Sequence, residues 1–120
     1  MKFLARVFIA FLVFVPVFSL LPEYSKADDV KCYCVLYIRT TYDVPIFGDA
    51  YKHRPNLAVS EVKVGDIALF RYGQVYHAAM VTRLEDNGVF SIEEANYRPC
   101  QVSYRTLSLL DPNLRGFYRP

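Results

Sequence analysis

A chain of 120 residues carrying a formal charge of +2 holds one domain at most, and it contains no basic run longer than a single Lys or Arg. Without a clustered basic face, nucleic acid is not an expected partner. The three cysteines, Cys32, Cys34 and Cys100, are an odd number, so an oxidising compartment would leave at least one thiol unpaired.

Residues 1–27 read as an export segment. Lys2 and Arg6 precede an uncharged apolar run from Val7 to Leu21, and Ser25-Lys26-Ala27 places small residues at the −3 and −1 positions of a cleavage site. The run is short for a membrane span and Pro16 interrupts it, so cleavage after Ala27 is expected in preference to an uncleaved anchor. The domain is then 28–120. Cleavage removes Lys2, Arg6, Lys26 and Glu23, leaving eleven basic and eleven acidic residues in a formally neutral, secreted or cell-envelope protein.

Residues 31–42 have the apolar spacing of a helix, with Cys34, Val35, Leu36 and Ile38 along one stripe. Val44-Pro45-Ile46-Phe47-Gly48 breaks it, and Asp49 to Lys52 predicts a second short helix with Asp49 in a cap-like position. His53 beside Arg54-Pro55 reads as a surface loop residue. From Val64 the period changes to strands. Ile67–Phe70 is an apolar run after a Gly65-Asp66 turn, and Tyr72-Gly73-Gln74 reverses the chain. Asp86-Asn87-Gly88 signals a hairpin between Val75–Arg83 and Val89–Glu94. Gln101–Leu107 and Arg115–Tyr118 complete a set of about five strands. A helix followed by an antiparallel sheet is an α+β arrangement.

Polar residues at apolar positions mark the candidate chemistry. His77 shares a strand face with Val75, Ala79 and Val81, Glu94 and Asn96 end the next strand, and Cys34 opens the apolar helix. These are the parts of a thiol triad: a nucleophile activated by a helix start and an imidazole, and a polar group that orients the ring. The same residues also fit a buried structural cysteine, a core histidine and a solvated strand end. A metal site of Cys32, Cys34 and His77 is a further alternative, although Cys-x-Cys is not a usual zinc spacing.

The ordered set "CVLYIR" (34–39), "PIFGDA" (45–50), "VGDIALF" (64–70), "YHAAMV" (76–81), "EAN" (94–96), "VSYRTL" (102–107) and "GFYRP" (116–120) resembles the CHAP family of cysteine- and histidine-dependent amidohydrolases and peptidases. The likeness spans almost all of 28–120. It implies a papain-like fold related to the NlpC/P60 group, with Cys34 as nucleophile, His77 as general base, and Glu94 and Asn96 as the orienting carboxylate and amide. It also implies hydrolysis of peptidoglycan amide bonds by a monomer that needs no cofactor or metal. The chain departs from the family pattern at Tyr76, where a glycine is usual before the histidine, at Lys63-Val64, and in having no tryptophan. Helix positions two apart point about 200° away from each other, so Cys32 and Cys34 cannot both face His77. Cys32 is then expected just before the helix, within reach of Cys100 for a disulfide. The rival expectation is a wall-binding or inhibitory module that keeps this fold without the chemistry. A thiol-redox or metal protein is a third.

Overall fold

A computed structural model describes residues 30–120, so the expected export segment at 1–27 lies outside the described residues. One α-helix, α1 (Cys34–Tyr42), precedes five strands: β1 (Ile67–Tyr72), β2 (Val75–Leu84), β3 (Val89–Ala95), β4 (Val102–Ser108) and β5 (Leu114–Tyr118). All pairings are antiparallel and the sheet order is β4-β3-β2-β1-β5. This is an α+β arrangement. Among the described residues no helix is long and apolar enough to cross a membrane.

The helix starts later than its apolar stripe suggests. Val30–Cys32 forms a separate 3-10 turn, Tyr33 is extended, and α1 opens on Cys34. It ends where Asp43 adopts a left-handed conformation at φ 54°. The Asp49–Lys52 stretch is a 3-10 turn at Ala50–Lys52. β2 runs one residue past the expected Arg83, to Leu84, across a register shift between Val81 and Arg83.

Period-two alternation divides the core between the two faces of the sheet. Ile67, Leu69, Ala78 and Met80 meet Val35 and Ile38 of α1, together with Ile46 and Ala50. Ala68, Phe70, Ala79, Val81, Phe90, Ile92 and Phe117 occupy the other face. There the register partners Ala68 and Ala79 are small, and large rings close over them. Phe90 of β3 and Phe117 of β5 stand 5.3 Å apart, centroid to centroid, although two strands separate theirs. Flat spacing would put β3 and β5 about 14 Å apart, so the sheet is curled around this cluster.

The curl also depends on one close backbone approach. Gly116, at φ 143°, lies where an added Cβ would come within 2.7 Å of Pro55. The segment before β1 is fastened nearby by hydrogen bonds from Asn56 and Leu57 N–H to the Phe117 carbonyl. The buried Asp66 accepts two hydrogen bonds from the Arg119 guanidinium, each 2.7 Å, and one from Lys63 N–H. The segment before β1 is thereby tied at two places to β5 and to Arg119 just beyond it.

Candidate active site

Tyr33 makes no side-chain cap hydrogen bond at the start of α1, so the first-turn N–H groups receive no acceptor from the cap residue. Cys34 stands at that start, half-buried. Its position is fixed from behind by a disulfide between Cys32 and Cys100, which joins the pre-helix turn to the turn after β3. Cys34 is the one free cysteine among the described residues.

The β2–β3 ladder stops at Met80 opposite Glu93, although both strands continue beyond that pair. The Cys34 sulfur accepts hydrogen bonds from the backbone of Ala78 and Val35 and bonds the His77 side chain. His77 is buried among three rings, with Phe70, Tyr72 and Tyr97 at centroid distances of 6.1, 6.3 and 6.2 Å. Its Nε2 lies 2.7 Å from Glu94 Oε1, which leaves Nδ1 as the ring nitrogen for Cys34.

Glu94 is 0% exposed, and a lone carboxylate there would be strongly disfavoured. Arg105 of β4 compensates it. Its Nε and Nη2 donate to Glu94 Oε2 and Oε1 at 2.5 and 3.0 Å, and Nη2 also donates to Tyr72 Oη at 2.8 Å. The guanidinium carbon lies 3.6 Å from the centroid of the Tyr97 ring, which covers one face of the cation. A continuous chain therefore runs from the thiol through imidazole and carboxylate to an arginine fork.

Burial pushes the Cys34 thiol up, but the hydrogen bond and charge of His77, with the two backbone bonds, outweigh it and hold the thiol below its ordinary range. Burial pushes His77 down, while its bonds to Cys34 and Glu94 raise it above the ordinary imidazole value. Glu94 is also raised by burial, yet His77 and Arg105 bring it below the usual carboxylate value. All three shifts favour a thiolate–imidazolium pair backed by an ionised carboxylate.

The thiol opens into a cleft of about 510 Å³, lined among others by Tyr33, Asp49, Tyr51, Gln74, Tyr76 and Asn96. Tyr33 and Tyr51 are more than half exposed on its walls.

Of the residues singled out by sequence, Cys34, His77 and Glu94 converge. Asn96 does not touch the imidazole. It takes a left-handed turn at φ 66°, and its Oδ1 accepts the Cys100 N–H at 2.9 Å, so it braces the disulfide and lines the cleft. His53 is a loop fastener: Nε2 lies 2.7 Å from the Phe47 carbonyl, and the ring packs on Tyr118 at 5.0 Å. Sequence reasoning did not single out Arg105 or Tyr72. Arg105 shares the inward face of β4 with Ser103 and Leu107, where one apolar residue gives the sequence no inversion like the one that marked His77.

No family model, curated protein or solved structure matches this chain.

Proposed function

We propose that this protein is an exported, CHAP-like cysteine hydrolase that cleaves amide bonds of peptidoglycan. The observation that carries the reading is the Cys34–His77–Glu94 chain, whose cysteine lines a cleft. A buried structural cysteine needs neither an imidazole partner nor access to a cleft. The ordered sequence resemblance supplies the substrate class, the Cys32–Cys100 disulfide suits an oxidising compartment, and residues 1–27 have the layout of an export signal.

The mechanism follows from the protonation states. Cys34 thiolate attacks the scissile carbonyl, and the uncapped N–H groups at the start of α1 supply donors for the oxyanion that forms. Collapse breaks the C–N bond as the His77 imidazolium gives its proton to the leaving amine. Neutral His77 then takes a proton from water, whose oxygen attacks the thioester. The carboxylic acid leaves and the proton returns the pair to its starting state. Glu94 holds the ring angle and steadies the imidazolium throughout.

Purified peptidoglycan incubated with the protein should release soluble fragments, and mass spectrometry of their new termini identifies the cleaved bond. Cys34→Ala should release none. Fragment release that persists in Cys34→Ala, or no release by the native protein, rejects the reading.

A further inference from the structure

Two arginines near the cleft have work that the catalytic chain does not explain. Arg71 and Tyr76 are register partners on β1 and β2, and Tyr76 forms part of the cleft wall. The Arg71 guanidinium carbon lies 5.2 Å from the Tyr76 ring centroid, and that of Arg115, reaching from β5, lies 5.0 Å from it. Among the described residues neither arginine has a carboxylate within salt-bridge distance, whereas Arg83, Arg105 and Arg119 each have one. Arg71 is exposed, and its Nε donates to the Gly73 carbonyl at 2.8 Å, which fixes the fork and leaves both Nη groups unassigned. Arg115 Nη1 is buried and has no hydrogen-bond partner, although buried donors are nearly always paired. Two positive charges without local counter-charge therefore flank one ring of the cleft wall.

The location limits what they can recognise. Tyr76 and Ala78 lie on the same face of β2, about 7 Å apart along the strand, and the backbone of Ala78 bonds the Cys34 sulfur. An anion at Tyr76 is therefore about 7 Å, roughly two strand positions, from the attacked carbonyl.

We propose that the Tyr76 end of the cleft is a carboxylate subsite. Arg71 contacts the carboxylate through its free Nη groups, Arg115 adds the second charge across the ring, and the favoured ligand is a peptide with a free carboxylate about 7 Å from the scissile amide. The word scissile rests on the hydrolase reading above; the carboxylate preference itself does not.

Protection of Cys34 from iodoacetamide reads occupancy of the cleft without requiring turnover. The probe is L-alanyl-γ-D-glutamyl-L-lysine, with the glutamyl α-group as a free carboxylate or as a carboxamide. One charge-assisted contact predicts that the acid protects at about tenfold lower concentration than the amide. Arg71→Gln should remove most of that difference, Arg115→Gln should reduce it, and Arg83→Gln, at an exposed surface pair, should leave it intact. The iodoacetamide rate without peptide is measured for each variant, and protection is expressed relative to that rate. Equal protection by both forms, no protection by either, or a preference that survives Arg71→Gln overturns the subsite. A preference that holds while peptidoglycan stays uncleaved rejects the hydrolase reading alone.

Discussion

Cys34 and His77 act as one titrating pair, so their reactivity should have two limbs. Below the depressed value of Cys34 the thiolate is protonated and alkylation stops. Above the raised value of His77 the imidazolium is lost, and with it the acid that protonates the leaving amine. Iodoacetamide should therefore label Cys34 readily at pH 6, where an ordinary thiol is almost wholly protonated. Hydrolysis should trace a bell whose alkaline limb follows His77. Glu94→Gln removes the charge that helps to raise His77, so it should slow labelling at pH 6 about tenfold for each unit by which Cys34 rises. It should also move the alkaline limb of hydrolysis down. Arg105→Gln has a different signature. It leaves a fully buried carboxylate with His77 as its remaining partner, which should cost about 3–5 kcal/mol of stability by urea titration. His77→Ala should abolish hydrolysis while leaving the far-ultraviolet circular dichroism unchanged.

At the scale of elements, α1, the β2–β3 hairpin and the disulfide divide the work of alignment. The helix presents Cys34, β2 and β3 carry His77 and Glu94, and Cys32–Cys100 joins the pre-helix turn to the turn after β3. The bridge closes a long loop, so the double variant Cys32→Ser/Cys100→Ser should lose about 4 kcal/mol in denaturant unfolding. A loss smaller than about 1 kcal/mol would mean that the core alone maintains this alignment. Gly116→Ala should destabilise by about 1–3 kcal/mol through overpacking against Pro55, without altering Cys34 labelling in the folded fraction. The strands, the Asp86-Asn87-Gly88 hairpin and the α+β order were legible because period-two alternation and turn chemistry are local signals. The helix start was misplaced because the apolar spacing continues through Val30–Cys32, while the bond to Cys100, a distant residue, draws that turn away from α1. Arg105 went unnoticed for a related reason: its carboxylate partner lies on another strand, and a single arginine in a strand usually marks a solvated face.

For the whole molecule, two buried carboxylates set the response to acid. Asp66 is held below the ordinary carboxylate value chiefly by its hydrogen bonds from Arg119, and Glu94 is lowered by His77 and Arg105 against the opposing effect of burial. A depressed folded-state value stabilises the fold above the unfolded value, near pH 4, and that contribution is lost as pH falls through the folded value. Acid unfolding should therefore begin below about pH 4. Asp66→Asn should shift its midpoint upward while leaving the pH profile of Cys34 labelling unchanged, since Asp66 fastens the turn before β1 to Arg119 and not the thiol. Coincident shifts in both would indicate that the closing strand and the site form one cooperative unit.

Three sulfurs permit three single cross-links, and only one of them leaves Cys34 free. During synthesis Cys32 and Cys34 emerge long before Cys100, so the correct mate arrives last and meets two competitors one residue apart. Oxidative refolding of the reduced chain should consequently divide between a labelled, competent isomer and an unlabelled one in which Cys34 has been consumed. Shuffling by an isomerase would then limit how much working protein a cell recovers.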